Sequence, residues 1–154
     1  MVNILNFDQN GHLSPYQVIE TDLETVRTTF VTNSNRQGLF ENYLSFLDDL
    51  QKLQIGSFYQ WIDGSFTTQK TYPKDIDLIT FINIDVYKIK RSRLDNLVWQ
   101  YSKIDGYFAE LYPQNHRFNA LNDWKKNHWI EVYGSTKDDG IYPVLKKGII
   151  QLNF

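Results

Sequence analysis

Between residues 39 and 53 the apolar side chains Leu39, Phe40, Tyr43, Leu44, Leu47, Leu50 and Leu53 recur three and four residues apart. That spacing lines one face of an α-helix, so a long helix is predicted from about Asn35, with Gly56 ending it. A shorter helix is expected before it, to about Val31. Its start is read from Thr-Asp-Leu-Glu at 21–24, a capping-box pattern in which Thr21 accepts from the amide three residues on and Glu24 reaches back. The polar Thr-Asn-Ser-Asn-Arg stretch separates the two helices.

Further on, the pattern turns to strands and loops. SFYQWID at 57–63 and DIDLITFINI at 75–84 are rich in β-branched and aromatic residues and read as two strands. Gly64-Ser65 is the exit of the first, and TTQKTYPK between them is loop, or a short helix followed by loop, with Pro73 keeping Tyr72 out of helix. Leu94, Leu97, Val98 and Tyr101 mark a helix over 88–102, and KIDGYFAELY at 103–112 returns to strand character. Thereafter the pattern predicts a helix at 116–128, a short strand in IEVYG at 130–134, a turn or exposed loop in STKDDG, and a closing strand in KGIIQLNF at 147–154. NGHLSP at 10–15 is turn chemistry. Helices and strands alternate loosely, which gives an α/β or α+β class with one mixed sheet flanked by helices. A single domain over 1–154 is expected, with N-terminal helices at about 21–54, a core at about 57–112 and a C-terminal helix and strand at about 115–154.

Composition narrows the chemistry. With 42% hydrophobic, 22% charged and 16% aromatic residues, the chain of 154 residues is that of a globular protein. It has no cysteine, which removes disulfides, thiolate metal sites and cysteine nucleophiles, and fits a reducing cytoplasm. No export signal or apolar run of membrane-spanning length is read, so a non-membrane, cytoplasmic protein is expected. A formal net charge of −2 supplies no overall basic field for nucleic acid. Local basic clusters at 87–93 and 145–148 leave a local anionic partner open, beside the plainer reading of solvated charges.

The chemistry concentrates near Gly64. Residues two apart on a strand share a face, so Asp75 and Asp77 present adjacent carboxylates whose repulsion a cation would offset. On their own the two acids read first as the exposed start of a strand, screened by Lys70 or Lys74. Gly64-Ser65, separated from the acid pair by nine residues, adds a turn whose amides and hydroxyl would cradle a phosphate. Other chemistries lack their signatures. There is no phosphate-loop or dinucleotide-binding glycine motif, no HExxH, and no GxSxG around Ser65. His12, His116 and His128 lie apart and read as structural or surface groups. Trp61, Trp99, Trp124 and Trp129 read first as core or interface rings, although one near the Gly-Ser turn would stack a nucleobase.

The combination of Gly-Ser, nine residues and Asp-Ile-Asp entering an apolar strand resembles the signature of the polymerase-β-like nucleotidyltransferase superfamily. NGHLSPY, NSNRQGLFENYLSFLDDL, WIDGSFTTQKTYPKDIDL, KIDGYF and KGIIQLNF extend the likeness to a small bacterial family of stand-alone nucleotidyltransferase-like proteins. The resemblance implies that Asp75 and Asp77 bind Mg²⁺ or Mn²⁺ and that Gly64 and Ser65 hold the phosphates of a nucleoside triphosphate. It implies a third acid on a neighbouring strand, best matched by Asp105, with Glu110, Glu131 and Asp85 as weaker matches. Lys70, Lys74 and Arg36 are the candidate triphosphate cations, each with a surface role as the alternative. An RNA or protein hydroxyl as acceptor, a toxin–antitoxin or phage-defence setting, and a cognate toxin or antitoxin as partner are further implications. A homo-oligomer is left open. A second expectation is a catalytically silent module of the same shape that acts by binding a partner protein. Asp63, where an apolar residue is usual, and the segment FTTQK, where a small residue and an arginine are usual, depart from the pattern.

Overall fold

The computed structural model describes residues 4–154; residues 1–3 of the expected single domain lie outside the described residues. In chain order the elements are β1 (Asn6–Phe7), β2 (Leu13–Ser14), β3 (Val18–Glu20), α1 (Leu23–Phe30), α2 (Ser34–Lys52), β4 (Tyr59–Asp63), a 3₁₀ turn (Gly64–Thr67), β5 (Ile76–Asn83), α3 (Ile84–Gln100), β6 (Ile104–Leu111), α4 (Leu121–Tyr133) and β7 (Ile149–Asn153). Five strands form one sheet in the order β3-β7-β4-β5-β6, and β1 and β2 form a separate hairpin. β4 runs antiparallel to both of its neighbours, whereas β3 with β7 and β5 with β6 are parallel, so the sheet is mixed and the fold is the expected α+β type. The parallel β5–β6 pair needs a crossover, and α3 supplies it.

The two faces of the sheet are covered differently. On one, Ile62, Ile76, Leu78, Ile82, Ile104, Ile150 and Leu152 pack against the apolar stripe of α2, Leu39, Phe40, Tyr43, Phe46, Leu47 and Leu50, and against Leu94 and Leu97 of α3. On the other, Trp61, Ile79, Phe81, Ala109 and Ile149 meet Tyr133 and Trp129 of α4 in a smaller second core. One polar thread crosses the first core: the Tyr43 hydroxyl donates to Gln60 Oε1 at 2.7 Å, and Gln60 Nε2 donates to Thr80 Oγ1 at 3.0 Å. Gln60 and Thr80 are cross-strand partners, so the thread ties α2 to β4 and β4 to β5.

Several sequence expectations are corrected. The cap of α1 is Asp22, whose carboxylate accepts from the Thr25 amide at 2.7 Å, while the buried Thr21 hydroxyl oxygen has no partner. The strand expected at 130–134 is instead the last turn of α4, which runs to Tyr133. Ile130 and Val132 mimic a strand, yet they are exposed; Trp129 and Tyr133, four residues apart, are the side chains that reach the sheet, and the Gly134 amide closes the helix on the Ile130 carbonyl at 2.7 Å. Leu44, expected on the buried stripe of α2, is exposed, and Phe46 takes the place in the core. The N-terminal turn chemistry at Asn10-Gly11 joins two short paired strands, and β3 follows them. No helix among the described residues is long and apolar enough to cross a membrane.

Tyr43→Phe keeps the ring and strands a buried Gln60 acceptor. Urea unfolding should show a loss of about 1–3 kcal/mol, and an unchanged midpoint would mean that the thread does not help hold α2 to the sheet.

Candidate functional site

β4, β5 and β6 bring three aspartates to one level. Asp63 pairs across the ladder with Asp77, and Asp77 with Asp105. Cross-strand partners share a face, here the face that α4 covers. Going from β4 to β6, Asp63 is buried, Asp77 half-buried and Asp105 exposed. Asp75, two residues before Asp77, joins them in lining a cleft of about 880 Å³. Glu110, Glu131 and Asp85 do not line it: Glu110 faces Lys125 of α4 at 3.5 Å, and Asp85 sits exposed in the first turn of α3.

Gly64 makes the convergence sterically allowed. Its φ is +76°, and a Cβ placed there would lie 1.7 Å from Asp77 Oδ2. Any other residue would therefore meet the Asp77 carboxylate as well as an unfavourable backbone conformation. From Gly64 the chain makes a single 3₁₀ turn, in which Ser65 lines the cleft, and then a loop that brings Lys70 and Lys74 to the same opening.

Arg36 takes a different place from the one expected. Only 2% exposed, it donates from Nε to the Lys70 carbonyl, from Nη1 to the carbonyls of Phe30 (3.1 Å) and Phe66 (2.7 Å), and from Nη2 to those of Thr68 (2.7 Å) and Lys70. Every donor of the guanidinium is thus spent on backbone oxygen, and the group lies beneath the loop instead of lining the cleft. Asn33, the cap of α2, adds a side-chain bond to the Thr71 carbonyl at 2.8 Å. The start of α2 is consequently the clamp that fixes the loop. From the other side, the Gln69 amide donates to the Gly11 carbonyl at 3.0 Å, docking the β1–β2 hairpin against the same segment.

Two cations come from the C-terminal part. Lys137 lines the cleft, and Lys147 places its ammonium 2.8 Å from Asp63 Oδ2, both partners being largely buried. Oδ1 of Asp63 is buried with no hydrogen-bond partner. Burial raises the Asp63 carboxyl to about 6, against the opposing pull of the Lys147 ammonium. Asp77 is also raised, by burial first and then by the charges of Asp75 and Asp105. Tyr133, whose hydroxyl closes the α4 side, is raised chiefly by burial. The basic pair ahead of the final strand was the sequence signal for Lys147; nothing local pointed to its pairing with Asp63.

The cleft therefore sets four aspartates (63, 75, 77 and 105) against four lysines (70, 74, 137 and 147). Residues 5–153 match a family of unknown function, DUF6932. The chain belongs to this family. No curated protein and no solved structure matches it.

In this DUF6932 protein the Gly64–Asp77 contact is open to a double-mutant cycle. Gly64→Ala alone should cost about 3 kcal/mol. On an Asp77→Gly background the penalty should fall to the roughly 1–2 kcal/mol of a positive φ alone; equal penalties in chemical denaturation would show that the two residues are not coupled.

Asp63 gives a pH signature. Its folded-state value lies above the ordinary 3.8, so the folded protein holds the proton over the window from about 6 down to 3.8. The stability from this group is complete below that window and is lost as pH rises through it. Between pH 7 and pH 5 the wild type should gain roughly 1 kcal/mol relative to Asp63→Asn; parallel stability curves would remove the assignment.

Proposed function

We propose that this DUF6932 protein is a divalent-metal-dependent nucleotidyltransferase that moves a nucleoside monophosphate from a nucleoside triphosphate to a hydroxyl on RNA or protein. The observation that carries the reading is the in-register pair Asp77 and Asp105, lining one cleft with Asp75 and set against the side-chain-free Gly64. This is the arrangement implied by the resemblance of the Gly-Ser and Asp-Ile-Asp segments to nucleotidyltransferases.

The donor set suits Mg²⁺ or Mn²⁺: all ligands are carboxylate oxygens, and Asp77 is raised first by burial and then by the like charges of Asp75 and Asp105, which a cation would offset. Among the described residues no group of three or more His, Asp and Glu side chains stands close enough together to hold a metal ion, so these acids would have to draw in around one. Asp75, Asp77 and Asp105 would hold the cation, which when bound supplies charge neutralisation at the phosphate. The chain does the rest by positioning. Lys70, Lys74 and Lys137 would face the β- and γ-phosphates, with the Gly64-Ser65 backbone beneath them. The acceptor hydroxyl oxygen bonds to the α-phosphorus, the bond from that phosphorus to the bridging oxygen breaks, and pyrophosphate leaves. Asp105, the exposed acid, would take the hydroxyl proton.

One observation favours the silent binding module as a second reading. Lys147 already offsets Asp63, so part of the acidic charge is met by the protein itself. The toxin–antitoxin or defence setting rests on the resemblance and applies to either reading.

Calorimetric titration separates the two. For the enzyme, a nucleoside triphosphate binds only with Mg²⁺ or Mn²⁺, and Asp75→Ala with Asp77→Ala abolishes that binding. Transfer from an α-labelled triphosphate should fall roughly a hundredfold or more in Asp77→Ala or Asp105→Ala. Metal-independent or absent binding in the wild type would leave only the module.

A further inference from the structure

Asp105 borders a second concavity. A groove of about 740 Å³ is lined by residues of α3 and of the edge strand β6, Asp105 among them. Its lining includes Tyr87, Trp99, Tyr101, Tyr107 and Phe108; Trp99 is 87% exposed and Tyr107, whose ring also packs on Trp129 of α4, 48%. The charged groups lining it are Asp95 and Asp105, and no lysine or arginine does. Asp95 faces Arg91 at 3.6 Å. Two other members of the basic cluster at 87–93 are directed elsewhere: the Lys90 ammonium bonds the Leu53 carbonyl, and Arg93 lines a separate recess with Lys52 and Asp49. β6 is the last strand of the sheet, and among the described residues no strand pairs with its outer edge.

We infer that this groove receives the acceptor, and that the acceptor is an extended polypeptide segment presenting a Ser, Thr or Tyr hydroxyl to Asp105. The inference rests on the nucleotidyl-transfer reading and narrows its acceptor class. An unpaired strand edge offers N–H and C=O groups that a second backbone satisfies, while alternate side chains find the aromatic walls. A polynucleotide would bring a phosphate every few ångströms to a groove lined by carboxylates with no cation among its walls. The division of labour follows from charge. Lysines line the cleft used by the triphosphate, and aromatic residues and a free strand edge line the groove, with Asp105 common to both. In the transfer step the peptide hydroxyl oxygen bonds to the α-phosphorus, its proton passes to Asp105 and on to solvent, and pyrophosphate departs on the lysine side. The product is a nucleoside monophosphate in phosphodiester linkage to the polypeptide.

The test uses the full chain with Mn²⁺, α-labelled triphosphates and two probes. One is an array of fluorescent peptides roughly eight residues long, the length of an added strand, each with a central Ser, Thr or Tyr and basic flanks. The other is a single-stranded oligoribonucleotide. Label should enter peptides and not the RNA. In anisotropy titrations the exposed-ring variant Trp99→Ala/Tyr107→Ala should weaken peptide binding roughly tenfold, as should N-methylation of alternate peptide amides. Ile89→Ser, on the same helix outside the groove, should match wild type. Label on RNA alone, or peptide binding indifferent to both changes, overturns the inference and leaves nucleotidyl transfer standing. Absence of peptide binding while the triphosphate still binds with metal does the same. Loss of metal-dependent triphosphate binding overturns the underlying reading instead.

Discussion

The carboxylate of Asp77 occupies the space that a side chain at residue 64 would need, and the rest of the site is arranged around that exclusion. With glycine there, β4 can end beside the start of β5, and three strands can deliver acids at one level. The same glycine begins the turn that leads to Ser65 and the lysine-bearing loop. A steric fact at one atom thus sets both halves of the cleft: where negative charge collects, and where the chain turns to answer it.

The answer is structural as much as electrostatic. Arg36 never meets the cleft, yet it fixes the path of residues 66–70 by filling their carbonyls, and it can do so because a guanidinium offers five donors in a rigid fork. A lysine could not reproduce that pattern. Lys147 plays a comparable part on the far wall, where its ammonium keeps the deeply buried Asp63 from standing as an uncompensated charge. The acids grade from buried and paired at β4 to exposed at β6, so the exposed end is the one open to a reactant.

Much of this was legible in the sequence because it follows local periods. The two-residue repeat put Asp75 and Asp77 on one face, and the three- and four-residue repeat found α2; Asp105 came from the resemblance to nucleotidyltransferases, which implies a third acid on a neighbouring strand. What stayed hidden depends on partners distant in the chain. The role of Arg36 lies in backbone carbonyls of two other segments, which no side-chain pattern encodes. The pairing of Lys147 with Asp63 is set by sheet order. IEVYG has strand composition, but packing of Trp129 and Tyr133 on the sheet outweighed it. At Thr21 the capping pattern was right in kind and one residue out, since Asp22 holds the extended cap conformation.

The position of β7 carries a kinetic consequence. This strand lies inside the sheet between β3 and β4, so Val18 reaches its partner Ile149 only across nearly the whole chain. Pairings of such high sequence separation close large loops and slow folding. Lys147 arrives with that last strand. An intermediate complete through α4 would hold its acids together without their buried counter-charge, and mutual repulsion would keep the cleft loose. Assembly of the site is therefore coupled to completion of the sheet, and a partly folded chain does not present a finished cleft to solvent.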